Sequence, residues 1–423
     1  MTSEAFVHIM LPGTTEFVTA GRFVLATDRT GIQFGRFVYG RSYLERNNAV
    51  PIDPIEFPLG DRTYQTTRLK GVFGALRDAS PDYWGRRVIE KHAGRTELGE
   101  VDYLLHSPDD RAGALGFGTN REPPAPSHTY NRTIDLERLQ TLADKLIAED
   151  SADANTSELE QVEDLLLLGT SMGGARPKAV VADAGQLWVA KFNRQDDTFN
   201  HARVEHAMLV LARECGVTTS ESRVIQIGGR DVLLVKRFDR APAEGGDYRR
   251  ARMLSALTLL RTGDSHQDRD RWSYVLLAEE LRRVSRQPKV DAAELFRRMT
   301  FNALISNTDD HPRNHAVIAA DQNFQLSPAY DLTPFLHVSL ERRDLALTIG
   351  DYGRYANAIN LVSQAPRFLL EREEATRLVD DMEASVRAWW HAVARHEGVS
   401  ERDCEKISGA FAYEGFRYSP KRT

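Results

Sequence analysis

Three side chains late in the chain have the residue types and spacing of a phosphoryl-transfer site. Asp309 and Asn314 share the D-x-x-x-x-N spacing of kinase catalytic loops. A second acid, Asp331, follows about seventeen residues after Asn314, at the next predicted hairpin. The pattern predicts that Asp309 accepts the hydrogen bond of an attacking hydroxyl while Asn314 and Asp331 hold Mg2+. His311 lies inside the same loop, where it would either contact phosphate or brace the loop.

Two charged residues earlier in the chain strengthen this interpretation. Lys191 lies near the end of an apolar strand and Glu205 in the first turns of the next helix, which is their order in the small lobe of a kinase. Lys191 would contact ATP phosphates, and Glu205 would pair with it. The simpler alternatives are a strand-end lysine that reaches water, a solvated helix acid and, at 307–314, an ordinary Asp/Asn-rich turn.

A loop of small residues at 170–178 is the candidate for binding phosphate through its backbone. Gly173 and Gly174 would let the backbone approach phosphate closely, although the loop matches neither G-x-x-x-x-G-K-[ST] nor G-x-G-x-x-G. Ser171 and Thr170 carry hydroxyl groups that could themselves be phosphorylated. The alternative is a plain connection between a helix and a strand.

Composition limits the class of protein. The 423 residues are 41% hydrophobic and carry a net charge of −6, so bulk charge does not favour binding to nucleic acid. Cys215 and Cys404 match no metal-binding spacing, which favours a reducing cytoplasm. Glu4 precedes a short apolar run where a signal peptide would need basic residues, and no apolar stretch is long enough to span a membrane.

The order of predicted elements indicates an α+β protein with a small β-rich N-terminal domain and a two-lobed, kinase-like remainder. We predict the N-terminal domain at 1–120, a proline-containing linker at 121–134, a kinase-like small lobe at 135–240, and a mostly helical lobe with the catalytic loop at 241–423.

Periodicity and turn residues predict the individual elements. Strands are predicted at 6–11, 22–26, 33–39, 179–182, 186–192, 222–227, 231–238 and 315–320. The clearest helices are predicted at 82–91, 100–106, 135–150, 159–168, 201–215, 272–286, 292–305 and 371–396. Ser80 is the expected N-cap of the first helix, and the polar segment 241–252 is expected to be mobile.

Several motifs together resemble the HipA family of serine/threonine kinase toxins from bacterial type II toxin–antitoxin systems, over nearly the whole chain. The motifs are Phe73–Arg87, Asp109–Phe117, Ser171–Lys178, Arg237–Arg240, Thr308–Asn314 and Ala329–Asp331. Each is short, and the combination is what makes the resemblance specific.

The resemblance implies roles for residues on the nucleotide side of the site. Ser171 matches the serine that family members autophosphorylate, and Lys191 matches the lysine that contacts ATP phosphates. Lys236 and Phe238 would lie at the hinge near adenine. The family's cofactors would accordingly be ATP and Mg2+.

The same resemblance implies that Asp309 is the catalytic base and that Asn314 and Asp331 are the magnesium ligands. It also implies a HipB-like helix-turn-helix antitoxin, operator DNA bound through the toxin–antitoxin complex, and targets such as an aminoacyl-tRNA synthetase. The segment Arg252–Leu257 lacks the acidic Glu-Asp pair of many members. Two other hypotheses stay open: a small-molecule phosphotransferase, and a catalytically weak subunit that binds antitoxin and DNA.

Overall fold

The computed structural model describes residues 2–95, 98–126, 130–150, 176–336 and 339–419. Ser171, Gly173, Gly174 and the predicted helix at 159–168 lie outside these residues. The chain packs as two compact units, of which the first contains residues 1–195, 226–254 and 318–322, and the second contains the remainder. Each unit is assembled from several separate segments, whereas the predicted domains are consecutive ranges of the chain. The two units therefore do not test the predicted domain boundaries, which stay predictions.

The first sheet of the first unit has the strand order β4-β3-β2-β1-β5, and each described pair of neighbours is antiparallel. Its strands are β1 (Thr2–Met10), β2 (Phe17–Thr27), β3 (Gln33–Tyr39), β4 (Tyr64–Thr66) and β5 (Leu115–Gly118). Apolar side chains alternate along β2 and β3, so one face of the sheet is buried. An aromatic cluster packs on that face, and the ring centroids of two of its members, Phe37 and Phe57, are 5.0 Å apart.

Short helices accompany this sheet: α1 (Arg41–Leu44), α2 (Gly74–Asp78), α3 (Tyr83–Ala93) and α4 (Glu100–His106). The expected N-cap of α3 was wrong, because Asp82 rather than Ser80 is the capping residue. The Asp82 carboxylate accepts a hydrogen bond from the Gly85 amide at 2.8 Å. Its other oxygen accepts from Nζ of Lys178 at 2.8 Å, and both side chains are buried.

The second sheet has the order β6-β7-β8-β10-β9. Its strands are β6 (Asn131–Arg132), β7 (Lys178–Asp183), β8 (Gln186–Phe192), β9 (Ser222–Ile227), whose last two residues belong to this unit, and β10 (Arg230–Lys236). β6 and β7 are parallel, whereas β8 is antiparallel to both β7 and β10. Helix α5 (Leu136–Asp150) lies between β6 and β7 in the chain.

The segment expected to be mobile contains regular structure that was not predicted, and its mobility stays a prediction. β11 (Arg240–Pro242) and β12 (Tyr248–Arg250) form an antiparallel hairpin in which Arg240 lies opposite Arg250. Both arginines are buried, and Arg250 donates to Asp109 at 2.6 Å. Arg240 and Arg250 are therefore neutralised inside the protein by Asp239 and Asp109, whereas Arg249 of the same hairpin is exposed.

The second unit is mostly helical. Its helices are α6 (His201–Glu214), α7 (Ala256–Leu259), α8 (Tyr274–Val284), α9 (Pro288–Leu304), α10 (Ala358–Ser363), α11 (Arg372–His396) and α12 (Glu401–Ile407). The remaining strands are β13 (Arg252–Ser255), which crosses the chain position where the first unit ends, β14 (Ala316–Ala319) and β15 (Gln325–Leu326). None of the described helices combines the length and apolarity needed to cross a membrane.

Helix α9 is the centre of the second unit. Pro288 begins it, as suits the first helical position, and most of its side chains are buried. Phe296 packs against Phe368 with ring centroids 5.4 Å apart. Arg298 is also buried, because its guanidinium pairs with Glu294 at 3.1 Å and donates to the Ser327 carbonyl at 2.5 Å. The end of this rigid helix is where the predicted catalytic loop begins.

Candidate active site

The chain turns sharply between the end of α9 and the predicted catalytic loop. Ser306 has φ 54°, a left-handed conformation that is uncommon for a residue other than glycine. Its hydroxyl donates to the Ala410 carbonyl at 2.5 Å and accepts from Nη1 of Arg343 at 2.5 Å. The next residue, Asn307, donates its amide to the Asn302 carbonyl at 2.9 Å. These bonds hold the start of the loop against the helix.

The second acid of the loop, Asp310, is its buried anchor. Its carboxylate accepts hydrogen bonds from the Tyr274 hydroxyl and from Nε2 of His315, the latter at 3.0 Å. The Asn302 amide donates to the same Tyr274 hydroxyl at 3.2 Å. Asp310 and its partners are almost fully shielded from water. A buried hydrogen-bonded network of this kind holds the loop in one conformation, although Nδ1 of His315 has no hydrogen-bond partner among the described residues.

Asp331 is joined to the same network. Nδ2 of Asn307 donates to Oδ1 of Asn302 at 3.0 Å and to the backbone carbonyl of Asp331 at 3.3 Å. Asp331 itself has φ 61°, so its backbone bends sharply where it meets the loop. Nδ2 of Asn314 lies 3.5 Å from the carbonyl of Asp309. The structure therefore brings Asp309, Asn314 and Asp331 together, as their spacing predicts.

Asp309 is exposed at the outer side of this braced loop. Its pKa is nevertheless raised above the ordinary value, first because surrounding protein atoms displace water from the carboxylate and second because of the negative charge of Asp331. The positive charge of Arg269 acts in the opposite direction. A carboxylate with a raised pKa accepts a proton more readily than an ordinary aspartate, which suits a group that receives the proton of a hydroxyl.

His311 has the contacts of a residue that braces the loop. Its Nδ1 accepts a hydrogen bond from the Arg313 amide at 3.1 Å, and its ring lies edge-on to Trp272 with centroids 4.1 Å apart. Burial, followed by the charge of Arg313, lowers the pKa of His311 to about 4. The imidazole is therefore neutral at physiological pH. Contact between His311 and phosphate stays a prediction.

The predicted metal ligands have the chemistry that Mg2+ prefers. Asp331 offers a carboxylate, and Asn314 has an amide oxygen that its bond to Asp309 does not use. Mg2+ is commonly held by one or two carboxylates together with substrate phosphates and water. Within the ranges that the structure describes, no group of three or more His, Cys, Asp or Glu side chains is arranged to hold a metal. One carboxylate and one amide oxygen fit a magnesium ion whose other ligands would be phosphate oxygens and water.

The predicted nucleotide-side residues that are described lie on two adjacent strands of the first unit. Lys191 is on β8, opposite Leu233 of β10, and Lys236 ends β10, with Phe238 two residues further on. Glu205 is buried within α6 of the second unit. The roles of these residues in nucleotide binding, and the pairing of Lys191 with Glu205, stay predictions.

The motif Arg237–Arg240 forms a buried ionic cluster immediately after Lys236. Asp239 accepts from Nη2 of Arg237 at 2.8 Å, from Nη1 of Arg240 at 2.7 Å and from the Gly113 amide at 2.9 Å. Burial alone would raise the pKa of Asp239, but the two guanidinium charges hold it well below its usual range. The cluster therefore fixes the backbone beside the predicted adenine hinge.

Two features of the site were missed by sequence reasoning. The Tyr274 and Asn302 partners of Asp310 come from α8 and α9, and nothing in their local sequence distinguishes them. Arg269, in the 3-10 turn His266–Arg271, was missed because it belongs to no motif. The adjacent acids Asp309 and Asp310 could have indicated the buried partners of Asp310. Two neighbouring carboxylates repel each other, so one of them is expected to have partners that the other lacks.

Family models match both parts of the chain. The model of the HipA-like C-terminal domain matches residues 170–390, and that of the HipA N-terminal domain matches residues 18–118. The chain belongs to the HipA family. This confirms the resemblance seen in the motifs and, with the β-rich N-terminal region and mostly helical second unit, the predicted α+β, kinase-like fold class.

Individual relatives are more distant. The HipA chain in a complex of HipA, HipB and operator DNA from the Shewanella oneidensis MR-1 toxin–antitoxin system is similar over 96% of this chain and 94% of that chain. Its TM-score is 0.66 and its sequence identity 17%, a likeness of fold. The Helicobacter pylori proinflammatory kinase CtkA matches 54% of this chain and 94% of its own, with 14% identity and a TM-score of 0.37.

A curated relative is similar over a shorter region. "Putative kinase Y4dM" of Sinorhizobium fredii is 28% identical over 161 residues, which are 35% of this chain. The alignment spans 37% of that relative's length.

Proposed function

We propose that this HipA-family protein is an ATP- and Mg2+-dependent serine/threonine protein kinase that acts as the toxin of a type II toxin–antitoxin system. The observation that carries the proposal is the arrangement of two adjacent acids. Asp310 is buried and anchors the loop, whereas Asp309 is exposed and carries a raised pKa. A loop held this firmly, with one reactive carboxylate directed outward, suits transfer of phosphate to an external hydroxyl.

The chain's own residues would divide the work of the reaction. The hydroxyl oxygen of the acceptor attacks the γ-phosphorus of ATP while its proton passes to the Asp309 carboxylate. The bond from γ-phosphorus to the bridging oxygen breaks, and ADP leaves with that electron pair. Asn314 and Asp331 would hold Mg2+, which when bound neutralises charge on the phosphate oxygens. The hydrogen bonds from Asn307 to Asn302 and to the Asp331 carbonyl would hold Asp331 at a fixed position relative to the loop that carries Asn314.

Residues earlier in the chain would bind the nucleotide. Lys191 would contact the phosphates, Lys236 and Phe238 would lie near adenine, and Gly173 and Gly174 would bring the backbone to the phosphates. Ser171 would be the site of autophosphorylation. A phosphoserine carries about −1.5 to −2 charges. Each charge pair about 5 Å apart costs roughly 3 kcal/mol at an effective dielectric near 20, so phosphorylated Ser171 would weaken ATP binding.

The partners would be a HipB-like antitoxin and operator DNA. The Shewanella oneidensis structure, in which HipA is assembled with HipB and its operator DNA, supports this part of the proposal. A translation-related substrate such as an aminoacyl-tRNA synthetase is the proposed target. Because the kinase would act on such a target inside the cell, the proposed location is the cytoplasm. A neighbouring reading frame for a small helix-turn-helix protein would support the antitoxin assignment.

Two competing functions are separated by simple measurements. A small-molecule phosphotransferase would transfer phosphate to sugars, choline or antibiotics but not to protein. A catalytically weak subunit would remain toxic, and would still bind antitoxin, when Asp309 is replaced by Asn. In the proposed kinase, the same variant would lose both toxicity and autophosphorylation.

The decisive experiment is incubation of the purified chain with ATP and Mg2+, followed by mass spectrometry of its peptides. We expect phosphate on Ser171 in the natural sequence and none in the Asp309→Asn variant. Incubation with a cell lysate and isotopically labelled ATP would then identify the target. Absence of any phosphorylated protein in both experiments would exclude the proposed activity.

A further inference from the structure

Beside the predicted base lies an arginine that no motif or comparison assigns. Arg269 lies within the short 3-10 helix His266–Arg271, and its guanidinium carbon lies 5.5 Å from the centre of the Trp272 ring. The Arg269 carbonyl also accepts the Trp272 amide hydrogen bond at 3.0 Å. Trp272 is buried, and its indole nitrogen donates to the Gly263 carbonyl at 3.0 Å. The Arg269 guanidinium therefore lies within cation–π distance of an indole ring that is itself held in place, and we call the Trp272 ring the aromatic support.

That support is continuous with the catalytic loop. The other neighbour of Trp272 is His311, whose ring lies edge-on to the indole at 4.1 Å. Arg269 and the loop that carries Asp309 thus contact the same side chain. Arg269 lowers the pKa of both Asp309 and His311, as expected for a nearby positive charge. Arg313, the other arginine at this loop, is paired with Asp264 at 2.5 Å.

The hydrogen-bonding capacity of Arg269 is incompletely used. Its Nε is shielded from the surface and makes no hydrogen bond to any residue in the described part of the chain. A guanidinium group is a strong donor with a planar fork that matches phosphate oxygens. Arg269 therefore combines unused donor capacity with contact to Trp272, the ring that also packs against His311 of the loop carrying Asp309.

We propose that Arg269 is a further catalytic residue, which binds an oxygen of the phosphoryl group during its transfer to the acceptor hydroxyl. This deepens the proposed kinase function and rests on it. As the bond to ADP breaks and the bond to the acceptor forms, negative charge spreads over the peripheral phosphoryl oxygens. The fixed charge of Arg269 stabilises that distribution, and Asp309 receives the proton.

Three variants of the full-length chain test the proposal by the single-turnover rate of phosphate incorporation into the protein itself. For Arg269→Ala we expect a rate about 100-fold lower, with little change in the ATP concentration needed for half-saturation. Arg269→Lys should keep part of the rate, because the charge remains without the fork. Arg271→Ala is the matched control from the same turn, since Arg271 donates to the Leu260 carbonyl at 2.9 Å instead.

Chemical rescue separates a catalytic role from a structural one. Added guanidinium ion at low millimolar concentration should restore part of the rate of Arg269→Ala and should not affect Arg271→Ala. A purely structural role predicts loss of thermal stability in Arg269→Ala, a raised half-saturating ATP concentration and no rescue, and that result would overturn the proposal. An Arg269→Ala rate equal to that of the natural sequence would overturn it as well, while leaving the kinase function intact. No incorporation by the natural sequence would instead reject the kinase function itself.

Discussion

The carboxylate of Asp310 lies 3.0 Å from Nε2 of His315, and both groups are closed off from water. His315 is the residue that leads from the loop into β14, so this contact connects the two ends of the segment that carries Asp309 and Asn314. The loop is thus closed by a side-chain bond across it in addition to its backbone bonds. Such closure limits how far Asp309, the predicted base, can move.

Replacement of Asp310 by Asn should loosen this closure. The buried Tyr274 hydroxyl and His315 ring would lose a charged acceptor, so we expect the free energy of unfolding of the second unit to fall by about 2 kcal/mol. The rate of autophosphorylation should fall as well, because Asp309 would no longer be held in place. Chemical denaturation and rate measurements on the same preparation check both effects. Unchanged stability would contradict the anchoring role of Asp310.

Replacement of Asp309 by Asn should have the opposite profile. Asp309 is exposed, its side chain is not part of the buried network, and its charge is disfavoured by Asp331, so the free energy of unfolding should stay the same or rise slightly once the charge is removed. Phosphate transfer should be abolished because the proton acceptor is lost. The two adjacent aspartates therefore form a matched pair. If Asp309→Asn unfolds as easily as Asp310→Asn, the division of roles between them is wrong.

The buried ion pair between Asp82 and Lys178 should contribute to the stability of the first unit. Asp82→Asn retains an oxygen that can cap α3 but removes the charge, so the effect of the ion pair is isolated from that of the cap. We expect a loss of about 3 kcal/mol, because the lysine would remain buried without its partner. The Asp82→Asn, Lys178→Met double variant should recover part of that loss. Additive losses in this double-mutant cycle would show that the two residues do not interact.

His8 should make the stability of the first unit depend on pH. Its side chain is fully buried, and burial lowers its pKa from 6.5 to about 4. The unfolded chain therefore binds a proton more readily than the folded one between these two values. The stabilising contribution is present above pH 6.5 and is lost as pH falls toward 4, by roughly 3 kcal/mol in all.

His8→Gln is the variant that tests this dependence. Thr19 donates its hydroxyl to the Arg121 carbonyl at 2.5 Å, so it accepts from Nδ1 of His8 at 3.1 Å, and glutamine can supply a similar donor without titrating. As pH is lowered from 7 to 4, the denaturation midpoint of the natural protein should fall relative to that of His8→Gln, because only the natural protein has the titrating group. Parallel curves would mean that another group causes the loss of stability in acid.

The elements that position the site were largely predictable because their local signals are strong. The strands β3 and β8 and the helix α4 begin and end at the predicted residues. The periodicity of their apolar residues and the turn residues beside them define these bounds. The hairpin at 240–250 was missed because its polar sequence was taken as that of a mobile segment, whereas Asp239 and Asp109 neutralise Arg240 and Arg250 in the fold. Those acids lie elsewhere in the sequence, and only folding brings them to the arginines.

The same distinction applies to the candidate site. Asp309, Asn314 and Asp331 were recognisable from spacing, since a short loop must place them near one another. The anchoring of Asp310 by Tyr274 and Asn302, and the approach of Arg269 through Trp272, depend on how two helices and a turn pack. A one-dimensional pattern contains no information on these contacts, because the partners are neither adjacent in the chain nor unusual in type.

The interleaved course of the chain has a consequence for how the protein is made. The first unit includes residues 318–322, which follow the catalytic loop in the sequence. A ribosome must therefore synthesise the whole of that loop before the first unit has all of its residues. Fragments cut between the two family-matched regions would each lack part of a unit. We therefore expect that neither half can be produced by itself in a stable form, and that premature termination yields a chain that does not fold.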